Sequence, residues 1–307
     1  MIDTVALKHY LACPPSDEDL RSLGWLPIYS RRDGTLCAYL RNEPERSDEP
    51  RLTLLLSPNL DWHLKAEVSL PSLLHGANVP LLTESERASS LRLLSAYVER
   101  WSGYKFDPQT ALVCRVDFTQ DMQVGESAIA PMIAKLMRLQ IPRYDRKQHN
   151  DTGVVFTPKG KNIGKRISVY NKLSEVEQRN GSEIEQSNAQ GILRLEVGLK
   201  TRAISYLVNK LKLPNREGQH VLTPTVADFV LQEAKSKLQF DSITIEANEA
   251  IERLITCYGT SRAKSLLGFM EMRRHFGEEL YKNQGLHFPS RTYFRDLSDC
   301  RKARVLP

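Results

Sequence analysis

The chain has 307 residues, room for one large domain or two of ordinary size, and its 41% hydrophobic content supports a proper core. A net charge of +6 at pH 7 suits an anionic partner. The five cysteines are odd in number and include no Cys-x-x-Cys pair, which argues against a disulfide framework and against a zinc site of the usual spacing. Met1-Ile2-Asp3-Thr4 does not open a signal peptide, and no run approaches the ~18 apolar residues of a membrane span. A soluble, cytoplasmic protein with reduced thiols and no membrane partner is expected.

In chain order, residues 2–10 predict a strand, and residues 28–40 a hairpin around Arg32-Asp33-Gly34, since Asp-Gly is a strong turn signal. Residues 51–56 and 63–70 predict two more strands, with a polar loop over 42–50 between the hairpin and the first of them. Thr83 with Glu86 makes a capping box that opens a helix running to about Trp101. A strand follows over 112–119, then an amphipathic helix over 125–139 with Ile129, Ile133, Leu136 and Met137 on one side. Residues 142–151 are basic and irregular. Residues 154–170 predict a hairpin turning over 158–162, then a helix through Glu177 and a polar linker over 180–190. A strand over 192–200 leads into a helix through about Lys212. Beyond Pro214 the pattern is helical: 227–238, 247–258, 262–281 and a last helix from Ser290. The whole predicts an α+β chain: a largely antiparallel sheet with helices on one face over residues 1–213, then a helical C-terminal DNA-binding or cap region over 214–307.

Three of these stretches alternate charged and apolar residues. They are Arg115-Val116-Asp117-Phe118-Thr119, Arg166-Ile167-Ser168-Val169-Tyr170-Asn171-Lys172 and Arg194-Leu195-Glu196-Val197-Gly198-Leu199-Lys200. Successive side chains on a strand point to opposite faces. If the three share a sheet, one face packs on helices and the other gathers Asp117, Glu196, several cations and Tyr170. That set suits phosphodiester transfer. Asp117 and Glu196 can hold Mg²⁺ or Mn²⁺ to polarise the scissile phosphate. Tyr170 can attack phosphorus, with Arg166 and Lys172 beside it to neutralise the phosphate or lower the tyrosine pKa. Cross-strand ion pairs on a solvated face are the plain alternative for any single strand. Asp121, of the same parity as Asp117, is a weaker ligand candidate, and His63 with Glu67 shares parity on an earlier strand.

The seven histidines include no His-x-His and no His-Glu-x-x-His, so any metal rests on carboxylates. Residues 159–166 carry four cations and two glycines without the spacing of a phosphate-binding P-loop. They suit a hairpin tip, with Lys159, Lys161 and Lys165, that holds a DNA backbone, as Arg115 and Arg194 would on the sheet. Near the C-terminus, Arg273, Arg274 and Arg291 on two helices suit entry into a DNA groove. No hydrolase triad, dinucleotide-binding run or kinase motif is present.

The residues resemble the replication initiators of filamentous bacteriophages, the gene II protein type, and more distantly the plasmid rolling-circle initiators. The similar features keep their order. They are the segment from Ser69 to Asn78, Arg115-Val116-Asp117, Val169-Tyr170-Asn171-Lys172, Arg194-Leu195-Glu196, and a C-terminal set from Ala263 through Arg273-Arg274 to Phe294. Where that family has Gly-His-Asn, this chain has Gly76-Ala77-Asn78, with His75 the nearest histidine. The resemblance implies a strand-specific, metal-dependent nickase and strand transferase that starts rolling-circle replication. Tyr170 would become linked to the 5′ phosphate, and the free 3′ hydroxyl would prime synthesis. Supercoiled double-stranded origin DNA, the displaced single strand, a host helicase and the polymerase machinery are the partners it implies. A non-catalytic, sequence-specific DNA-binding repressor is the alternative reading. RNA binding is a weaker one, since no strand carries the aromatic pattern of an RNA-recognition sheet.

Overall fold

A computed structural model of the chain describes residues 1–13, 16–41, 48–57, 61–79, 81–149, 152–160, 164–240, 247–276, 289–303 and 305. These divide into two compact units, Met1–Gln232 and Glu233–Pro307.

The first unit opens with β1 (Ile2–Tyr10), α1 (Asp17–Ser22), β2 (Trp25–Tyr29), β3 (Leu36–Arg41), β4 (Arg51–Leu56) and β5 (Trp62–Ser69). Then come α2 (Leu70–His75), α3 (Glu84–Ser102), β6 (Leu112–Gln123), α4 (Glu126–Leu136), β7 (Tyr144–His149), β8 (Gly153–Pro158) and β9 (Lys165–Asn171). It continues through α5 (Lys172–Gln178), α6 (Glu183–Ala189), β10 (Ile192–Lys200), α7 (Thr201–Leu211) and α8 (Gly218–Val221) into α9 (Pro224–Leu238), within which the division at Gln232 falls. All ten strands form one sheet in the order β2-β3-β4-β5-β1-β6-β10-β9-β8-β7, and every neighbouring pair is antiparallel. The chain is thus α+β with a large antiparallel sheet, and the three alternating strands are neighbours in it.

Local chemistry accounts for the boundaries that matter. The β2–β3 turn forms where Thr35 N–H donates to Asp33 Oδ1 at 3.1 Å and Gly34 takes φ 71°. The capping box of α3 is reciprocal: Glu86 N–H donates to Thr83 Oγ1 at 3.3 Å and Thr83 N–H to Glu86 Oε2 at 2.7 Å. Asn171 accepts the N–H of Leu173 at 2.9 Å and caps α5, which ends β9 one residue after Tyr170 and makes Lys172 the first helical residue. One sheet face is apolar and buried, with Val5, Leu7, Val116, Phe118, Ile167, Val169, Leu195 and Val197 all inaccessible to solvent. Burying each such side chain stabilises the fold by ~1.5–3 kcal/mol. Of the hydrophobic stripe expected on α4, Ile129, Ile133 and Leu136 are buried, while Met137 caps the helix and is half-buried; Ala203, Ile204, Leu207 and Val208 of α7 are buried too.

The structure differs from the sequence reading at several places. Residues expected to be irregular form β7, an edge strand whose Tyr144, Asp145, Arg146, Lys147 and Gln148 offer no apolar alternation to read. The expected linker over 180–190 contains α6, whose capping box pairs Ser182 with Glu185. Helices α1, α2 and α8 are additions to the expected elements, and β6 extends to Gln123. The sequence pattern places the change to a helical region at residue 214. The named elements after it are helical, and the first unit runs on to Gln232; Val113 N–H donates to Arg216 O at 2.8 Å and Gly218 N–H to Ala111 O at 3.0 Å, tying residues 216–218 to the start of β6. Gly218 lies so close to Pro108 that a Cβ would sit 2.1 Å from its carbonyl oxygen.

The second unit contains α10 (Ala247–Phe276) and α11 (Ser290–Lys302). Gly259, at φ 73° and ψ 167°, breaks α10 where the sequence predicts two helices; residues 277–281 of the second lie outside the described residues. Leu254, Ala263, Leu266 and Phe269 share a core with Tyr293, Leu297, Cys300, Ala303 and Val305. Among the described residues, no helix is long and apolar enough to cross a membrane.

Candidate active site

The register of β6, β10 and β9 arranges the polar face in rows. Asp121, Arg194 and Tyr170 form one row, Thr119, Glu196 and Ser168 the next, and Asp117, Gly198 and Arg166 the third. Arg115 and Lys200 continue the face beyond them.

The first row is enclosed. Arg194 is fully buried and grips Asp121 with two hydrogen bonds, Nε to Oδ1 at 2.6 Å and NH2 to Oδ2 at 2.7 Å. Its third nitrogen donates to Asn78 O at 3.1 Å. Lys172 is also fully buried, with its ammonium bound to Asn78 Oδ1 at 2.8 Å and to Glu175. Asp3 is buried beside them and accepts from Ser69 Oγ at 2.8 Å. Burial, and then the Arg194 charge, lower the Lys172 pKa to about 8.

The other two rows are incompletely bonded. The Tyr170 hydroxyl reaches out of its own row and donates to Glu196 Oε2 at 3.3 Å, while Arg166 pairs with Glu196 Oε1. Arg115 holds Asp117 through NH2 to Oδ2 at 2.6 Å and Nε to Oδ1 at 3.3 Å, and reaches Glu67 at 2.7 Å. Thr119 Oγ1 and Ser168 Oγ, on either side of Glu196, are buried and make no hydrogen bond, and the same holds for Arg166 Nε. Buried hydroxyls without partners are uncommon and call for an explanation. The Arg166 side chain remains 43% exposed, so this end is open to a ligand. Burial, the Glu196 charge adding to it, pushes the Asp117 carboxyl up to about 6 although Arg115 opposes the shift. Burial, and then Glu196, also raise the Tyr170 phenol well above its ordinary value; the largest opposing influence is Arg194. The tyrosine is therefore protonated at rest, with Glu196 as its acceptor.

Gly198, which strand parity does not single out, adjoins Asp117. A Cβ there would lie 2.9 Å from Asp117 Oδ1, so the missing side chain lets Asp117 approach β10. A glycine inside a strand was the available signal.

The expected site residues separate accordingly. Tyr170, Arg166, Asp117, Glu196 and Arg115 come together on one face. Arg194, expected to meet DNA, is instead wholly enclosed as the partner of Asp121. Lys172, expected to tune Tyr170 or neutralise phosphate, is committed to Asn78 and Glu175, and Arg194 supplies the tuning charge. Asp121, the weaker ligand candidate, is taken up by Arg194. His75 turns to Glu86 at 3.4 Å and so does not join the face. His63 is buried, with Nδ1 unbonded, and Glu67 pairs with Lys65 and Arg115. Lys159 is exposed, 3.9 Å from Asp145, and Lys161 lies outside the described residues. Lys165 lines a cavity of about 520 Å³ at the base of the β8–β9 hairpin, with Gly160, Gly164, Lys200 and Arg202. Arg273 donates to the Tyr293 hydroxyl at 3.2 Å, Arg291 is exposed at the start of α11, and the Arg274 side chain lies outside the described residues.

Among the described residues, no group of three or more histidine, cysteine, aspartate or glutamate side chains converges on one point. The donor set of Asp117, Glu196 and the two unbonded hydroxyls still suits Mg²⁺ or Mn²⁺. Mg²⁺ in particular binds through one or two carboxylates and keeps waters that need acceptors.

The family model for the N-terminal part of the phage replication-associated protein of the gene II type matches residues 51–217, just over half of the chain, and spans all three rows of the site. No curated protein matches. Among solved structures, the crystal structure of DynU16, a putative protein in the dynemicin biosynthetic locus, is 11% identical over 65% of this chain and 87% of that one. Its TM-score of 0.18 is too slight a likeness to bear on fold or activity.

Proposed function

The chain belongs to this family of phage replication initiators, and on that premise we propose that it nicks and rejoins one strand of origin DNA through a covalent 5′-phosphotyrosine at Tyr170. The observation that carries the reading is the Tyr170 hydroxyl donating to Glu196 beside two unbonded buried hydroxyls and the half-open Arg166. Glu196 takes the phenolic proton as the tyrosine oxygen attacks phosphorus. The bond from phosphorus to the 3′ oxygen breaks, and that oxygen leaves as a hydroxyl on taking a proton from water. Arg166, whose side chain is 43% exposed, binds the phosphate oxygens where charge builds up. Asp117 and Glu196 would hold a Mg²⁺ or Mn²⁺ ion, which would supply Lewis-acid polarisation of the phosphate. Attack of a 3′ hydroxyl on the tyrosyl ester reverses the step and closes the displaced strand without ATP, because the ester conserves the bond energy. The cations around the 520 Å³ cavity, Lys165, Lys200 and Arg202, suit the backbone of the same strand. A host helicase and polymerase would follow the nick.

Supercoiled DNA carrying the chain's own phage or plasmid origin tests the reading. With Mg²⁺ or Mn²⁺ the wild type is expected to give open circles, and Tyr170→Phe to nick at least ~10⁴-fold more slowly. Nicking by Tyr170→Phe at the wild-type rate would remove Tyr170 as the nucleophile. Tight origin binding by the wild type without nicking in either metal would favour the repressor.

A further inference from the structure

Helix α11 gathers its cations on the exposed side. Its exposed residues are Ser290, Arg291, Phe294, Arg295, Ser298, Arg301 and Lys302, a spacing that places 291 to 302 along one side. That side carries four cations and no carboxylate. Of the two acids on the helix, buried Asp296 accepts from Arg262 at 2.6 Å and from Arg295 Nε at 3.2 Å, and Asp299 accepts from Arg262 at 2.7 Å, so neither carboxylate is among the exposed residues. A merely solvated face would mix signs through i,i+4 pairs and would not hold an aromatic ring out in water. Phe294 is 54% exposed and lies in the middle of the cations. Its ring is held from beneath: Tyr293, nearly inaccessible itself, meets it edge-on at 5.4 Å, and Arg273 binds the Tyr293 hydroxyl.

We infer that the outer side of α11 is a second DNA contact, specific for single strands, in which Arg291, Arg295, Arg301 and Lys302 meet backbone phosphates and Phe294 stacks on a base. Charge selects nucleic acid, and the ring selects its form. A duplex offers phosphates but keeps its base faces stacked on one another, whereas an unpaired strand presents a base face to an aromatic side chain. The contact lies outside residues 51–217 and does not rest on the chemistry at Tyr170.

The test uses the full chain carrying Tyr170→Phe, so that cleavage does not enter, and a fluorescent oligothymidine of about 20 nucleotides, long enough for a single-strand site. Phe294→Ala is expected to weaken binding about tenfold with the salt dependence unchanged. Replacing Arg291, Arg295 and Arg301 together by alanine is expected to weaken binding and to lower the slope of log affinity against log salt by about 2, at ~0.7 per phosphate contact. Phe294→Tyr keeps the ring and should bind like the parent. Wild-type affinity and slope in both alanine variants would overturn the inference, as would losses seen on a duplex of the same length but not on the single strand.

Discussion

The two ends of one sheet face, a few residues apart, are built to different standards. In the row of Tyr170, Arg194 and Asp121 every nitrogen of the buried guanidinium has an acceptor, and Lys172 and Asp3 beside it are bonded too. One step along β10, Ser168 and Thr119 flank Glu196 with buried hydroxyls that bond to nothing, and Arg166 keeps an unbonded Nε. Charge is dense at both ends, so charge alone does not mark the site. Unmet hydrogen-bonding capacity does, and Tyr170 sits at the seam, held by the complete end with its hydroxyl directed toward the incomplete one.

That contrast can be tested from either end. Arg194→Ala leaves Asp121 and Tyr170 without their buried cation, and the first unit should lose ~3–5 kcal/mol in urea unfolding. A loss near zero would mean that the enclosed row does not carry structure. Gly198→Ala introduces a Cβ 2.9 Å from Asp117 Oδ1. Displacing that carboxylate should slow nicking by about 10- to 100-fold while origin binding persists; an unchanged rate would separate Asp117 from the chemistry.

Lys172 gives the enclosed end a pH signature. Its folded pKa is lowered from 10.5 to about 8, so between those values the unfolded chain binds a proton that the folded chain has released. Stability then rises with pH across that window, and the penalty of burying the ammonium is present in full below about pH 8. Relative to Lys172→Met, the wild type should gain ~2–3 kcal/mol between about pH 7 and 10. Parallel stability curves would contradict the assignment. The smallest effect is expected at Ser168. Ser168→Ala removes an unbonded buried hydroxyl, so stability should rise by ~1 kcal/mol while nicking falls. A destabilised variant would mean that the hydroxyl is bonded after all.

Much of this face was legible in the sequence, since strand parity alone put Asp117, Glu196, Tyr170 and Arg166 together. The depth of each residue was not. Parity assigns Arg194 and Arg166 to the same face, yet one is sealed beneath Asn78 and the other is half open, because the cover comes from a segment far earlier in the chain. Register was also hidden. The row that sets Gly198 between Asp117 and Arg166 follows from pairing, which no single strand specifies. Strand β7 is hard to read because a polar edge strand buries neither face, whereas α6 carries a legible cap in Ser182 and Glu185 but is polar enough to pass for a linker. The break in α10 at Gly259 shows the reverse case, a backbone feature readable from one residue.

The most direct test of the account is to trap the intermediate. The wild-type protein would be incubated with supercoiled origin DNA and Mg²⁺ or Mn²⁺, digested with nuclease and protease, and its peptides weighed. A nucleotide linked through its 5′ phosphate to the peptide containing Tyr170 is the predicted result. Nicked circles with the nucleotide on another residue, or on none, would contradict it.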